Sequence, residues 1–383
     1  MKPPPLVDPG AQLSDDEARR YSRHVVIPEM ALVGQQRLKS ARVVCVGAGG
    51  LGSPILMYLA AAGVGTLGII EFDTVDVSNL QRQIIHGQSD IGTSKAQSAK
   101  AKISEINPYV SVITHEVRLD NSNVLEIFSD YDLVIDGTDN FATRYLINDA
   151  CVILGKPYIW GSIFRFDGQA SVFWSDYGPC YRCLHPEPAR EVLNCAQGGV
   201  LGVLCASIAS IQATEAIKLI TGIGTPLIAS LMIYDALEMS YRTIDILKDP
   251  QCTLCGVNPT QTSLLADYDE FCSPAPQSEI SVFELKEKID NGDGFILIDV
   301  REPNEFEIVR IPGSHLIPLA NFTDGSALAT LPRDRPIILH CRSGVRSATA
   351  LAILKEAGFN DATHVRGGVL AWAKQIDTSC AVY

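Results

Sequence analysis

The short apolar strand Arg42–Val46 leads straight into Gly47-Ala48-Gly49-Gly50-Leu51-Gly52, and a helix from about Ser53 to Ala62 follows. This Gly-x-Gly-x-x-Gly spacing between a strand and a helix constrains the fold more than any other feature of the chain. Such glycines permit a tight turn and let backbone amides approach a phosphate at the helix N-terminus. A second strand at Thr66–Ile70 completes a βαβ unit of about 30 residues, the size of a mononucleotide-binding half. On its own the turn suits a dinucleotide oxidoreductase equally well, because Glu71 ends the second strand where a ribose-binding acid belongs.

Strands at Leu133–Asp136, Pro157–Gly161 and Gln169–Trp174 and a long helix near Leu204–Thr221 extend the alternation. The expected class is α/β, with a doubly wound, mostly parallel sheet. Residues 1–13 are proline-rich and expected to be flexible, and Ser14-Asp15-Asp16-Glu17 opens a capped helix through Tyr21-Ser22-Arg23-His24. This first domain spans 14–257. Pro259, Pro274 and Pro276 punctuate 258–277, which reads as a linker with a short packed segment at Leu264–Phe271. The βα alternation then restarts: helix Phe283–Ile289, strands Phe295–Val300, Pro336–His340 and Thr363–Arg366, and helix Val369–Ile376. Residues 278–383 therefore form a second, smaller α/β domain of about 105 residues.

A net charge of −13 argues against nucleic acid as the main partner, since phosphate backbones need a basic face. The N-terminus lacks the apolar core of a signal peptide, and eleven cysteines suit a reducing compartment, so a cytoplasmic location is expected. No membrane association is expected either. Ile55–Ile70 is broken by Gly63, Gly65 and Gly68, and Val200–Ile220 carries Gln212, Glu215 and Lys218.

The residues after Glu71 point away from a dinucleotide. Ser78-Asn79-Leu80-Gln81-Arg82-Gln83 is a polar loop with an arginine, and Lys95 follows. A triphosphate needs such charges while its α-phosphate is attacked, whereas a dinucleotide does not. Asp136-Gly137-Thr138-Asp139-Asn140 lies at the carboxyl end of a strand, where Asp139 could hold Mg2+ against phosphates.

With these motifs, Tyr21–His24, Gly168-Gln169 and the cysteine pairs below, residues 14–257 resemble the sulfur-carrier-activating adenylyltransferases, relatives of the ubiquitin-activating enzymes. The resemblance implies that Gly47, Gly49, Gly50, Gly52, Glu71, Ser78, Asn79, Leu80, Gln81, Arg82, Lys95, Asp139 and Asn140 bind MgATP. It also implies a homodimer in which Arg23 reaches the nucleotide of the neighbouring subunit. The family usually carries Asp where this chain has Glu71.

Cys180-Tyr181-Arg182-Cys183 and Cys252-Thr253-Leu254-Cys255 are two Cys-x-x-Cys pairs. A single pair is as readily a redox dithiol, whereas four thiolates can close a tetrahedral Zn2+ site. The resemblance makes that site structural. Cys195, in Asn194-Cys195-Ala196-Gln197-Gly198, reads from its surroundings as an inert thiol or a functional one. It matches the position of the family's reactive thiol on a loop crossing the active site.

Cys341 closes the apolar run Ile337–His340 and opens Arg342-Ser343-Gly344-Val345-Arg346-Ser347 before an apolar helix. Loop amides, a helix N-terminus and two arginines around a thiol suit a thiolate or persulfide anion. A cysteine phosphatase also uses a cysteine, a backbone cradle and an arginine. Its Cys-x-x-x-x-x-Arg ring is one residue longer than the Cys341–Arg346 spacing, and the smaller ring suits a sulfane sulfur. With Asp299-Val300-Arg301-Glu302, Ile311–His315 and Gly367–Trp372, the stretch from Ser278 resembles a rhodanese domain.

The two resemblances together imply a two-domain enzyme of the molybdopterin-synthase adenylyltransferase type. Its substrate would be a ubiquitin-like sulfur-carrier protein ending in Gly-Gly, whose C-terminal carboxylate is adenylated with help from Arg82 and Lys95. Cys341 would then deliver a persulfide sulfur obtained from a cysteine desulfurase or another donor. Cys195 or an outside reductant would release the thiocarboxylate. Alternatives are an activating enzyme that passes its carrier on as a thioester, and an NAD-dependent oxidoreductase.

Overall fold

A computed structural model describes residues 2–188, 199–272 and 279–380. They form two compact units, the first ending at Phe271 and the second taking the described residues from Cys272 onward.

In the first unit the strands are β1 (Arg42–Val46), β2 (Thr66–Ile70), β3 (Ser111–His115), β4 (Leu133–Asp136), β5 (Tyr158–Phe164), β6 (Asp167–Phe173), β7 (Ser230–Asp235) and β8 (Ser240–Asp245). They make one sheet in the order β3-β2-β1-β4-β5-β6-β7-β8. The pairs from β3 to β5 are parallel and those from β5 to β8 antiparallel. Buried Val43, Val44, Cys45 and Val46 make β1 a central strand, since β-branched residues fit a sheet covered on both faces. β5 and β6 are joined by the two-residue turn Arg165-Phe166, in which Arg165 adopts φ 51°. β8 is exposed along its whole length and forms the sheet's edge.

Helix Gly52–Ala62 follows β1, and Gly63 ends it in the left-handed conformation at φ 83°. Helix Gly202–Thr221 packs on Gly52–Ala62, on helix Ala31–Ser40 and on β5 and β6. Among the described residues it alone is long and apolar enough to cross a membrane, yet Gln212 and Glu215 are buried along it. Gln212 Nε2 donates to the Asp136 carbonyl oxygen at 2.9 Å, so the helix is tied to the carboxyl end of β4.

Two expectations need correction. Residues 1–13 are not loose throughout. The Leu6 amide donates to the Leu219 carbonyl at 3.0 Å, and Leu6 and Val7 pack on the main core. Two apolar residues after a proline run have more to gain from that groove than from solvent. Residues 258–271, within the expected linker, also belong to the first unit. Gln261 and Tyr268 bond to buried Asp149, and Asn121 Nδ2 donates to the Ala266 carbonyl at 2.8 Å.

The second unit has five parallel strands in the order β11-β10-β12-β13-β9: β9 (Glu279–Ile280), β10 (Ile296–Asp299), β11 (His315–Leu316), β12 (Ile337–His340) and β13 (Ala362–Val365). Helix Val345–Glu356 packs on β12 and β13. Two apolar clusters fill the unit, one containing Leu339, Cys341 and Leu351 and the other containing Ile338, Val365 and Trp372.

Candidate functional site

The glycine turn after β1 is a close-packed junction. A Cβ on Gly52 would lie 2.0 Å from the Gly47 carbonyl oxygen, and Gly47 itself holds φ 93°. A Cβ on Gly50 would lie 2.9 Å from Cys205 Sγ and 3.7 Å from Arg82 Cγ. Gly137, just beyond β4, leaves room for only 2.9 Å between such an atom and the Val46 carbonyl. The structure therefore brings Gly47–Gly52, the Arg82 loop and the Asp136–Asn140 turn together at the carboxyl edge of β1 and β4. Ligands bind at that edge in open α/β sheets.

Glu71 is buried, and one of its oxygens accepts from the Ala48 amide at 3.1 Å. The other accepts from the Phe72 and Asp73 amides at 2.9 Å each. Its extra methylene lets the carboxylate fold back beneath the glycine turn. Arg82 Nη1 donates to the Ser78 carbonyl at 3.0 Å, which braces the guanidinium within its own loop. Buried Lys95 opens helix Lys95–Ile106 and pairs with Asp73 at 3.0 Å. Asp139 and Asn140 are exposed, and Asn140 caps helix Phe141–Ile153 by accepting from the Thr143 amide at 2.9 Å. Ser78 and Gln81 are exposed, whereas Asn79 and Leu80 are half-buried. Arg23 stands exposed on helix Ser22–Val25.

The sequence motif at this edge included Asp136 without a role for it, and His86 and Arg144 carried no signal. Asp136 is fully buried, and one oxygen accepts from the Thr138 amide and hydroxyl at 2.9 and 2.6 Å. Burial pushes its carboxyl up, against the opposing pull of Arg144. Its other oxygen has no partner, nor does Arg144 Nε. His86 bridges the Ala48 carbonyl at 3.1 Å and the Ser98 hydroxyl at 2.8 Å, and burial holds its pKa down. A polar residue in an otherwise apolar helix, as with Gln212, was the one available signal.

The two Cys-x-x-Cys pairs meet. Sγ–Sγ distances are 4.0 Å for Cys180–Cys183, 3.6 Å for Cys180–Cys252 and 3.4 Å for Cys183–Cys255, and all four sulfurs lie within 4.8 Å of one another. A tetrahedron with metal–sulfur bonds of about 2.3 Å has S···S edges of about 3.8 Å, so the four could hold one metal ion. Hydrogen bonds among the four thiols, that from Cys180 first, draw Cys252 and Cys183 down, while Cys180 is pushed up, chiefly by its bond with Cys183. Beside the cluster, Arg182 makes a two-pronged pair with Asp149, Nε at 2.8 Å and Nη2 at 2.7 Å.

In the second unit Cys341 is only 1% exposed. The Gly344 amide donates to its sulfur at 3.1 Å, and Gly344, at φ 104°, caps helix Val345–Glu356. Arg346 pairs with Glu305 at 2.6 and 2.7 Å, so its charge is shared with a carboxylate instead of facing the thiol alone. Cys195, the other expected thiol, lies outside the described residues.

A ThiF family pattern matches residues 21–254, and a rhodanese-like domain pattern matches 281–375. The chain belongs to the ThiF family and carries a C-terminal rhodanese-like domain; it is an adenylyltransferase and sulfurtransferase. The probable adenylyltransferase/sulfurtransferase MoeZ of Mycobacterium tuberculosis is 56% identical over 99% of both chains. The adenylyltransferase and sulfurtransferase MOCS3 of Sus scrofa is 39% identical over 98% of this chain and 90% of that one. The crystal structure of E. coli MccB with MccA-N7isoASN shares the fold, at 22% identity and a TM-score of 0.58, over 63% of this chain and 76% of that one. The oxidoreductase reading of the glycine turn is thereby set aside.

Proposed function

We propose that the first unit adenylates the C-terminal glycine of a ubiquitin-like sulfur-carrier protein and that Cys341 then supplies sulfur to make its thiocarboxylate. The observation that carries this reading is the pairing, in one chain, of a glycine turn packed against Arg82 and Gly137 with a buried thiol held by a loop amide.

The Gly47–Gly52 turn and the start of helix Gly52–Ala62 would cradle the triphosphate, with Glu71 oriented beneath the turn toward the ribose. Asp139 and Asn140 would hold Mg2+, which supplies charge neutralisation at the phosphates. Arg82 and Lys95 would offset the charge that develops as the carrier carboxylate attacks the α-phosphate; Lys95 exchanges Asp73 for phosphate to do so. Converting the carboxylate to an acyl-adenylate makes AMP the leaving group. Persulfide on Cys341 would attack that carbonyl, and Cys195 or an external thiol would cleave the acyl disulfide.

Zn2+ is the metal that best suits four converging thiolates in a closed tetrahedron, and its role would be structural. A homodimer would let Arg23 complete a neighbouring site, and a cysteine desulfurase or comparable donor would load Cys341. A cytoplasmic location belongs to the same reading.

The test is to incubate the protein with MgATP, thiosulfate and a panel of Gly-Gly-ended carriers. ATP–pyrophosphate exchange reads the first step, and the intact mass of the carrier reads thiocarboxylate. Exchange without any carrier, or none with any of them, would overturn the adenylation reading. Thiocarboxylate made from thiosulfate by Cys341→Ala as fast as by the parent would remove the terminal domain as the sulfur relay.

A further inference from the structure

Cys341 is walled off from water, yet a thiol must lose its proton before its sulfur becomes a nucleophile. The side chains around it suggest where that proton goes. Ser347 Oγ lies 3.6 Å from Cys341 Sγ, 2.9 Å from the Gly344 carbonyl oxygen and 3.4 Å from His364 Nδ1. On the far side of the imidazole, His364 Nε2 lies 3.8 Å from Glu279 Oε2. His364 is 9% exposed and Glu279 43%, so the series runs from a closed cradle to the surface. Its members come from separate places: the loop after β12, helix Val345–Glu356, β13 and β9. Sequence proximity alone does not place them in line.

We propose that Ser347, His364 and Glu279 form the proton exit of Cys341, with His364 acting as a positioning base through the Ser347 hydroxyl. The inference rests on the reading of Cys341 as the sulfur-carrying thiol. The Cys341 S–H bond breaks, and its proton passes to Ser347 Oγ as the serine proton passes to His364 Nδ1. The thiolate electron pair then forms an S–S bond to the outer sulfur of a sulfane donor such as thiosulfate. The donor's own S–S bond breaks, and its electron pair leaves with sulfite. The imidazolium sheds its proton to solvent from Nε2, beside Glu279.

The electrostatics fit a base that is neutral at rest. Burial holds the His364 pKa below its ordinary value, and the carboxylate of Glu279 pulls the other way. Arg366 shares Glu279 at 3.3 Å, Arg346 on the neighbouring helix is engaged by Glu305, and His340 of β12 lies 3.8 Å from Asp299. Glu279 is thus the charge that orients the Nε2–H tautomer and leaves Nδ1 free to accept.

The test uses the full chain with thiosulfate as donor and cyanide as acceptor, followed from about pH 6 to pH 10, across the ordinary thiol range. His364→Gln should slow persulfide loading roughly tenfold to a hundredfold near neutral pH. The defect should shrink toward the alkaline end of that range, where hydroxide can take the thiol proton without the relay. Ser347→Ala should give the same profile, Ser347→Thr should restore the parent's, and the His364→Gln/Ser347→Ala double variant should lose no more than either single one. Glu279→Gln changes only a half-exposed group and should move the acid limb to lower pH, because a histidine without that carboxylate is a weaker base. A loss equal at every pH, or none at any pH, in His364→Gln overturns the proposal. So does an acid limb that stays in place in Glu279→Gln. Loading of Cys341→Ala from thiosulfate would instead overturn the reading of the loop itself.

Discussion

Replacing Asp149 with alanine should loosen both the four-cysteine cluster and the segment that follows it. Asp149 is fully buried, and five donors converge on its carboxylate. Arg182 Nε and Nη2 lie at 2.8 and 2.7 Å, Tyr268 Oη at 2.7 Å, Gln261 Nε2 at 2.7 Å and Asn148 Nδ2 at 3.0 Å. Arg182 is 4% exposed and sandwiched by the rings of Tyr145 and Phe271, each 4.8 Å from its Cζ. Asp149→Ala therefore leaves a guanidinium in the interior without its counter-charge. Removing one partner of such a pair costs about 3–5 kcal/mol. In a unit of this size that corresponds to a fall in Tm of about 6–20 °C.

The loss should spread to the four cysteines and to any metal they hold. Arg182 sits between Cys180 and Cys183, and the Gln261 amide donates to the Thr253 carbonyl at 2.9 Å, between Cys252 and Cys255. Both ligand pairs are thus braced by groups that Asp149 holds. The assay is thermal and urea unfolding of the metal-loaded protein, with metal release to a chromogenic chelator followed in parallel. Release should be faster in Asp149→Ala. Arg182→Met in the same chain should recover part of the stability, because an apolar side chain in that aromatic sandwich needs no counter-charge. A loss below about 1 kcal/mol with unchanged metal release would refute the reasoning, since an exposed pair would behave that way.

Cys252→Ser should lose the metal and unfold at lower temperature, because a structural metal contributes folding energy directly; metal content and calorimetry on one sample decide it. Arg82→Ala should cut ATP–pyrophosphate exchange by at least about a hundredfold, and Asp139→Ala comparably, with unfolding curves like the parent's. The rhodanese-like unit should weaken on acidification through His340. Burial lowers its pKa to about 4, so between about 6.5 and that value the unfolded chain binds the proton that the folded chain refuses. Stability should fall by about 1.4 kcal/mol per pH unit from this group within that window, and should change little from it at higher pH. Urea midpoints at pH 7 and pH 5 for the parent and His340→Leu test this: the variant should show the smaller difference.

Part of this architecture is legible in the sequence. β1, β2 and β4 begin and end where their apolar runs predict, and the glycine turn falls where its spacing requires. Helix Gly202–Thr221 and β12 lie within a residue or two of their expected limits. β3, β7 and β8 were missed in the first unit: β8 is exposed at every residue and has no inward face to leave a pattern. Residues 258–271 were read mostly as linker because their anchors are single polar side chains, Gln261 and Tyr268, that only a buried Asp149 makes significant.

The sequence by itself determined the α/β class, the division into two domains, the glycine turn, the Cys341 loop and the number of paired thiols. Each rests on steric and hydrophobic rules that act within a short window of chain. The tertiary structure alone decided that Cys180 and Cys183 meet Cys252 and Cys255, that Arg346 spends its charge on Glu305, and that Ser347 and His364 stand in line behind Cys341. These groups are polar and distant in sequence. Which of them touch is set by the burial that removes water as a competing partner, and no short stretch of chain records it.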